Sequence, residues 1–203
     1  GDIVRVGSQG VRGITQKGGT FVQAARSMEF YQPEGRKKAY EQLGKFGIGA
    51  VVIIGGGGSF TGANYMTQES NISVIGIPGT IDNDLFGTDY TIGYDTALNT
   101  VTEAVDKIRD TASSHNRIFF VEVMGREAGF VAINSGIAGG AEVIMVPRRK
   151  NQLDKVRDFL RERAAKNKSS IIIVSEGLEE GGAMDIANII KPEFPQFDIR
   201  VSI

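Results

Sequence analysis

The chain of 203 residues carries a formal net charge of −1, a single histidine and no cysteine. This near-neutral balance offers no basic excess to a nucleic acid or an anionic membrane, and the lack of cysteine excludes disulfides and thiolate metal sites within the chain. The hydrophobic fraction of 41% indicates a buried core, but no apolar run reaches the roughly 18 residues of a membrane span, so we expect a cytoplasmic protein without nucleic-acid or membrane partners.

Short aliphatic runs alternate with amphipathic segments along most of the chain. The first 20 residues are rich in glycine and indicate loop or edge structure. After Pro33, apolar residues recur at helical spacing as far as Gly47, and the run "AVVII" at 50–54 is typical of a buried parallel strand. Further strands are predicted at 72–77, 117–124, 142–146, 169–177 and 197–203. Further helices are predicted at 95–112, 126–140, 152–166 and 183–191.

This alternation predicts an α/β fold in which helices cross over between parallel strands. Ligands of such sheets bind outside the carboxyl ends of the strands, which directs attention to the residues that follow each aliphatic run. The last predicted strand, which we expect within the sheet, reaches the final residue of the sequence. We therefore expect the chain to be a segment of a larger protein.

The glycine-rich stretch "GGGGS" at 55–59 follows the first predicted strand. A turn made of glycine lets backbone N–H groups approach a phosphate, and a helix that begins near Phe60 would add a favourable dipole. Ser59 is a candidate cap for that helix. The alternative is a tight turn between strand and helix that binds no ligand.

The segment "PGTIDND" follows the second predicted strand. Its carboxylates, Asp82 and Asp84, alternate across Asn83, and such a pair can hold Mg²⁺, accept a proton from a hydroxyl, or do both. Thr80 adds a hydroxyl at the same end of the strand. The alternative is an ordinary turn, since Asp and Asn favour turns.

Charged residues mark three other strands. Arg126 follows the strand at 117–124, where a cation at a helix N-terminus opposes the dipole, so we expect it to meet an anion. Arg117 begins the same strand at its opposite end, so a site within one chain cannot easily use both arginines. Glu176 could accept hydrogen bonds from sugar hydroxyls or be a plain loop carboxylate, and Arg200 lies among apolar residues. Together these groups favour phosphoryl transfer to a hydroxyl.

In this order, "GGGGS", "PGTIDND", "GTDYTIGYDTAL", "RDTASSH", "VEVMGR" and "SEG" resemble the motifs of bacterial ATP-dependent 6-phosphofructokinases over residues 17–203. Lipid and NAD kinases share a glycine-rich turn but not the later motifs. The resemblance implies a three-layer, Rossmann-like fold of parallel sheets with two similar domains, one of them incomplete. We expect a partial nucleotide-binding domain at 1–92 and a sugar-phosphate-binding domain at 93–203.

The resemblance implies transfer of the γ-phosphoryl group of ATP to the 1-hydroxyl of fructose 6-phosphate, with Mg²⁺ as cofactor. Asp82 would be the general base, Thr80 would touch the substrate or the transferred group, and Arg126 would stabilise its charge. The implied substrate site comprises Thr80, Asp82, Asp84, Arg117, Met124, Gly125, Arg126, Glu176 and Arg200. In the complete enzyme, a homotetramer, Arg117 and Arg200 would reach the 6-phosphate across a subunit interface.

The resemblance also implies a nucleotide site and an effector site. The positions that match the ATP side are Arg26, Ser27, Gly57, Gly58, Ser59 and Gly62. The effector site for ADP or phosphoenolpyruvate would include Arg109 and Glu142, with Lys166 and Lys168 as further candidates. Gly58 and Gly79 are of the type found in ATP-using rather than pyrophosphate-using relatives.

The sequence departs from the family pattern at the metal. Gly57 stands where the family has an aspartate associated with Mg²⁺–ATP, which leaves Asp84 as the carboxylate on the metal side. The family's opening strand and its "LGH" segment are also absent from this sequence. We therefore expect the turn to keep its shape and catalysis to be weakened, the alternative being a non-catalytic fragment that binds a sugar phosphate and oligomerises.

Overall fold

A computed structural model describes residues 3–115, 117–164 and 168–203. Within these ranges the six strands are β1 (Ala50–Gly55), β2 (Ser73–Pro78), β3 (Arg117–Val123), β4 (Val143–Met145), β5 (Ser170–Ser175) and β6 (Asp198–Ser202). The six α-helices are α1 (Pro33–Lys45), α2 (Gly57–Glu69), α3 (Ile92–His115), α4 (Phe130–Ala138), α5 (Gln152–Ala164) and α6 (Ala183–Ile190). A short 3₁₀ helix at Glu29–Tyr31 precedes α1, and the described residues before it contain turns but no strand.

The larger sheet has four parallel strands in the order β4-β5-β3-β6. All six residues of β5 are buried, as expected for a continuous aliphatic run inside a parallel sheet. Among the described strands β6 lies at an edge, because it pairs with β3 alone, so the expectation that it lies within the sheet is wrong.

Two apolar clusters cover the faces of this sheet. One face packs against α5 and α6 through Val156, Leu160 and Ile186. The other packs against α3 and α4 through Val105 and Val131. The result is the expected three-layer arrangement of helix, sheet and helix.

The small residues of α4 allow that helix to lie close to the sheet. A Cβ atom on Gly136 would lie 2.7 Å from Ile144 and 3.5 Å from Ile173. The helix begins at Phe130 rather than at the predicted residue 126, because Gly129 adopts the left-handed conformation with a φ of 69°. The segment after β3 is therefore a loop, which matters for Arg126.

The smaller sheet consists of β1 and β2, paired in parallel with Val51 opposite Val74. Helix α2 packs on one of its faces. Val52, Ile54 and Ile75 are exposed on the other, so this sheet is covered on one side only among the described residues. Such one-sided cover agrees with an incomplete α/β unit, since parallel sheets normally carry helices on both faces.

Helix α3 connects the two sheets and contacts α4, β3 and β5. The predicted domain boundary near Gly93 falls at the first residues of this helix, and the division into 1–92 and 93–203 stays a prediction. No helix in the described ranges is long and apolar enough to cross a membrane.

Candidate active site

The segments that follow β2, β3, β4 and β5 border one cleft of about 1270 Å³. This is the edge where the carboxyl ends of the strands meet, as the fold class leads one to expect. Five of the residues predicted from sequence line it: Arg26, Asp84, Met124, Arg126 and Glu176. Parallel strand direction brings Asp84, Met124, Arg126 and Glu176 together, whereas Arg26, 150 positions before Glu176, comes from the segment that precedes the first strand.

Asp82 lies beside this cleft with a side chain only 7% exposed. The hydroxyl of Thr80 donates a hydrogen bond of 3.1 Å to Asp82 Oδ2 and accepts one of 3.1 Å from the Asp82 amide. Arg126 Nε lies 3.2 Å from the same carboxylate oxygen. The predicted base, hydroxyl and cation therefore form one connected group.

Asp82 and Thr80 do not themselves line the cleft, whereas Arg126, which contacts the Asp82 carboxylate, does. This side chain is 62% exposed, so solvent rather than protein surrounds most of it. A phosphoryl group is the kind of anion that competes with a carboxylate for such an exposed guanidinium.

Glu176 fixes the backbone of the loop that carries Arg126. Its Oε1 accepts hydrogen bonds from the amides of Gly125, at 3.1 Å, and Arg126, at 2.7 Å. Gly125 has a φ of 132°, a conformation that residues with a Cβ rarely adopt. The prediction that Arg126 sits at a helix N-terminus is wrong, because α4 begins four residues later and the loop is held by Glu176 instead.

The segment with the two aspartates is shaped by Asn83. Its amide donates to the carbonyl of Asp89 at 3.1 Å, its Oδ1 accepts from the amide of Thr91 at 2.8 Å, and its φ is 53°. These bonds turn the chain so that Asp82 faces inwards and Asp84 is exposed at the cleft. The segment is therefore a turn, as one interpretation of the motif predicts, and it also places a carboxylate at the cleft, as the functional interpretation requires.

The predicted nucleotide turn forms the start of α2. Gly56 is the N-cap and Gly57 the first helical residue, so the amides of Gly57, Gly58 and Ser59 lack acceptors within the helix. Ser59 does not cap the helix, because the helix begins two residues before it and no side chain caps it. This prediction is wrong in its position, although a helix does follow the strand.

The other residues assigned to the ATP side occupy three places. Arg26 lines the cleft, whereas Ser27 accepts a hydrogen bond of 3.3 Å from the Phe30 amide. Gly62 lies under the ring of Phe30, which a Cβ at that position would approach to 3.3 Å. Of the residues assigned to the ATP side, Arg26 is therefore the one that lines the cleft.

For a divalent metal, the cleft offers Asp84 as an exposed carboxylate. Asp82 already pairs with Arg126, Gly57 has no side chain, and the described ranges contain no group of three Asp, Glu or His residues suited to a metal. Mg²⁺ is commonly held by one or two carboxylates together with substrate phosphates and water, so Asp84 fits that mode of binding.

Arg117 and Arg200 lie at the other edge of the large sheet. Both pair with Asp198, whose carboxylate is 2.7 Å from Arg117 Nε and 2.8 Å from Arg200 Nε. Hydrogen bonds from Arg117 and then Arg200 hold the pKa of Asp198 below its ordinary value. Arg200 is exposed between the inward-facing Ile199 and Val201, so its charge is accommodated by strand alternation rather than buried.

This pair of arginines is remote from the cleft. Val123 lies six positions after Arg117 on β3, which corresponds to about 20 Å of strand. The structure does not bring them to Asp82 and Arg126 within one chain.

The predicted effector residues, Arg109 and Glu142, contact each other at 3.4 Å. Arg109 also donates to the carbonyls of Gly139 and Gly140 at 2.8 and 2.6 Å, beyond the end of α4. Glu142 accepts the amide of Ile171 at 2.8 Å. Lys168 is exposed, and Lys166 lies outside the described residues.

Sequence reasoning missed Arg148 and Glu127, which line the cleft and pair with each other at 2.8 Å. Arg148 follows β4 within three residues, so the rule that located Glu176 and Arg126 points to it too. It had no recognisable motif around it.

Comparison with known proteins identifies the family of the chain. A family model described as "Phosphofructokinase" matches residues 1–203. The chain is 54% identical to "ATP-dependent 6-phosphofructokinase 2" of Bacteroides thetaiotaomicron, matching all of this chain and 63% of that protein. It is 51% identical to "ATP-dependent 6-phosphofructokinase" of Cytophaga hutchinsonii, of which it covers 62%. The chain thus spans less than two thirds of these curated relatives.

Solved structures show the same likeness. The structure of Pichia pastoris phosphofructokinase in the T-state superposes with a TM-score of 0.82 at 35% identity, covering 96% of this chain and 23% of that one. Phosphofructokinase from Saccharomyces cerevisiae superposes with a TM-score of 0.75 at 31% identity, covering 91% of this chain and 28% of that one. The resemblance of the motifs is confirmed, and the chain belongs to the phosphofructokinase family.

Proposed function

We propose that this chain carries the phosphoryl-transfer site of an ATP-dependent 6-phosphofructokinase. The reaction moves the γ-phosphoryl group of ATP to the 1-hydroxyl of fructose 6-phosphate and forms fructose 1,6-bisphosphate and ADP. The observation that carries the proposal is the group formed by Asp82, Thr80 and Arg126 at the mouth of the parallel strands. The names of the bacterial relatives support the choice of substrates.

Asp82 is the proposed general base. Its carboxylate accepts the hydrogen bond that the Thr80 hydroxyl donates, and it is proposed to take the proton of the substrate hydroxyl as that oxygen attacks the γ-phosphorus. The bond from the γ-phosphorus to the bridging oxygen of ATP breaks, and ADP leaves with the electron pair. Thr80 orients the carboxylate throughout.

Arg126 is the proposed electrostatic stabiliser of the transferred group. In the present structure Arg126 Nε lies 3.2 Å from Asp82 Oδ2, and the largely exposed side chain of Arg126 is free to rotate towards a phosphoryl oxygen. When Arg126 turns from Asp82 towards the phosphoryl group, the carboxylate of the base becomes exposed. The same movement brings a positive charge to the group on which negative charge develops in the transition state.

Mg²⁺ is the proposed cofactor, held by Asp84 and the phosphate oxygens of ATP, and it supplies neutralisation of the phosphate charge. The amides at the start of α2 and the side chain of Arg26 are proposed to hold the nucleotide. Ser27, Gly58, Ser59 and Gly62 shape this side of the site.

The sugar is proposed to lie against Met124, Gly125 and Glu176. Oε1 of Glu176 already accepts two amides, so its second oxygen is the one that faces a sugar hydroxyl. Arg117 and Arg200 are proposed to bind the 6-phosphate of a neighbouring subunit's substrate, because Arg117 lies about 20 Å of strand from its own cleft and shares the Asp198 carboxylate with Arg200. A homotetramer in the cytoplasm is the proposed form of the whole enzyme.

Two further assignments belong to the same proposal. Arg109 and Glu142 form the proposed effector site for ADP or phosphoenolpyruvate, supported by their mutual contact at 3.4 Å. The boundary between the nucleotide and sugar-phosphate domains is proposed at Gly93, beside the start of the helix that joins the two sheets.

A second candidate is sugar-phosphate binding without catalysis. Gly57 favours it, since that position has no carboxylate and the described ranges hold no cluster of three acids for a metal. A coupled phosphofructokinase assay separates the candidates when the chain is compared with Gly57→Asp. We expect little turnover for the unmodified chain and a higher rate for the variant. Absence of turnover in both, with fructose 6-phosphate still bound, would support the second candidate.

A further inference from the structure

Arg36 is a buried charge to which neither the motifs nor the comparisons assign a role. It lies near the start of α1, does not line the cleft and is only 6% exposed. Burial of a guanidinium costs free energy unless its N–H groups find acceptors. The acceptors that Arg36 has therefore identify the parts of the fold that it holds together.

Two nitrogens of Arg36 bind one carboxylate on α2. Nε donates to Glu69 Oε2 at 2.8 Å, and Nη2 donates to Glu69 Oε1 at 2.6 Å. The guanidinium also lies over the ring of Tyr65 on the same helix, 4.3 Å from its centroid. A bidentate, stacked arrangement fixes orientation as well as distance. Because α2 is a continuous helix that begins at Gly57, Arg36 is thereby fixed relative to the predicted nucleotide turn.

The third nitrogen of Arg36 holds the segment that precedes α1. Nη1 donates to the carbonyls of Phe30, at 3.4 Å, and Tyr31, at 3.0 Å. The amide of Phe30 in turn donates to Ser27 Oγ at 3.3 Å. Arg26 immediately precedes this hydrogen-bonded turn. One buried side chain therefore connects α2 with the segment that carries Arg26 to the cleft.

The segment that carries Arg26 has little burial of its own. Every described residue from 3 to 32 is exposed except Ile14 and Phe30, which are half-buried. An exposed chain without a strand or α-helix has little to offset the conformational entropy that ordering costs. The position of Arg26 therefore depends on the contacts made at 29–31, and the two carbonyl bonds to Arg36 are among them.

We propose that Arg36 is a positioning residue for the nucleotide. It holds Arg26 at the cleft and in register with the turn at Gly57, without touching the nucleotide itself. The inference rests on the proposed function, because that function assigns Arg26 and the amides at the start of α2 to ATP. The sugar side of the cleft lies on loops of the large sheet, so Arg36 does not act on fructose 6-phosphate.

The test compares Arg36→Gln with Arg157→Gln in the 203-residue chain, by calorimetric titration with Mg²⁺–ATP and separately with fructose 6-phosphate. Arg157 is the matched control, since it forms a similar bidentate pair with Glu193 but is not among the described residues that line the cleft. We expect Arg36→Gln to weaken ATP binding about tenfold, as for loss of a charged hydrogen bond, and to leave fructose 6-phosphate binding within about twofold. Arg157→Gln should change neither affinity.

A double-mutant cycle with Arg26→Gln separates positioning from direct contact. If Arg36 acts by placing Arg26, the variant with both substitutions binds ATP no more weakly than Arg26→Gln alone, because no side chain remains to be placed. Losses of ATP affinity that add up in the double variant would show that Arg36 acts independently of Arg26, and would overturn the inference.

The fold of the variants is checked by thermal unfolding. Arg36→Gln should fold, because Glu69 is 33% exposed and still accepts the hydroxyl of Tyr40 at 3.0 Å. Arg36→Lys is a second variant, since lysine keeps the charge but lacks the planar fork that reaches Glu69 and the carbonyls together. We expect it to weaken ATP binding in the same way, and it decides the question if Arg36→Gln does not fold.

The outcomes distinguish the inference from the function on which it rests. ATP affinity that is unchanged in a folded Arg36 variant overturns the inference and leaves the proposed function standing. Equal losses for ATP and fructose 6-phosphate indicate a general effect on the fold and also overturn it. Lack of ATP binding by the unmodified chain overturns both the inference and the proposed nucleotide site.

Discussion

Arg126 Nε lies 3.2 Å from Oδ2 of Asp82, and this contact joins the loop after β3 to the loop after β2. The two strands belong to different sheets, so the ion pair brings the predicted base of one sheet to the predicted cation of the other. The carboxylate is buried and the guanidinium is mostly exposed, which means that the arginine is the partner able to move.

Replacing Asp82 by Asn tests the base. In a Gly57→Asp background, we expect turnover to fall by about 10²–10⁴-fold, the range associated with loss of a general acid–base group. The fold should persist, because the amide oxygen of Asn can still accept the hydrogen bond that Thr80 donates at 3.1 Å. A coupled assay and a thermal unfolding midpoint measure the two effects. An unchanged rate in the double variant would remove Asp82 from the mechanism.

Replacing Arg126 by Gln tests the proposed electrostatic stabiliser. We expect kcat to fall by about 10²–10³-fold in the same background, as for removal of one preorganised charged donor. Arg161→Gln is a suitable control, since Arg161 is exposed on α5 and pairs with Asp158 three residues away. If both substitutions lower kcat to the same extent, the effect is one of overall charge and not of the cleft.

Gly57→Asp should raise the free energy of unfolding by about 0.5–1 kcal/mol, because a glycine leaves a helix and a negative charge enters its first turn. The added Cβ has room, since its nearest neighbour is Leu85 Cδ2 at 3.8 Å. Gly58→Asp is the control, because a Cβ there meets nothing within 4 Å and the charge enters the same turn. Denaturant unfolding should show a similar gain for both variants, whereas turnover should rise for Gly57→Asp alone; a rise in both would contradict a position-specific role.

The pairing of Asp198 with Arg117 and Arg200 should make stability depend on pH. Because the folded-state pKa of Asp198 is lowered, the unfolded chain binds more protons in the window below the ordinary aspartate pKa of about 3.9. The stabilisation is therefore present above that window and lost as the pH falls through the depressed pKa. Asp198→Asn should lower the thermal midpoint at pH 7, with the difference shrinking towards pH 3. A difference in thermal midpoint that stays constant from pH 7 to pH 3 would show that protonation of Asp198 does not contribute to the pH dependence of stability.

The order of strands and helices could be predicted because each depends on local patterns. The aliphatic run of β5 and the helical spacing of α5 both appear where the sequence indicates. Errors occurred at element ends, such as the start of α4, where Gly129 and the bonds to Glu176 decide the geometry. Those partners lie far apart in the chain, so no local pattern reveals them.

The candidate site was predictable to the extent that it follows strand ends. Asp82, Arg126 and Glu176 lie within four residues after the ends of strands and belong to recognisable motifs, whereas Arg148 has the same placement without a motif. The ion pair of Asp82 with Arg126 could not be predicted, since it depends on how the two sheets approach each other.

By itself, the sequence determined the class of fold and the family, and it predicts the kind of chemistry, because periodicity, glycine turns and motif spacing are local properties of the chain. Only the tertiary structure decided which charges meet. It joined Asp82 to Arg126, placed Arg117 and Arg200 on one carboxylate at the far edge, and brought Arg148 into the cleft. The physical reason is that strand order and sheet packing bring together residues that are distant in the chain, and electrostatic contacts only a few ångströms long depend on that packing.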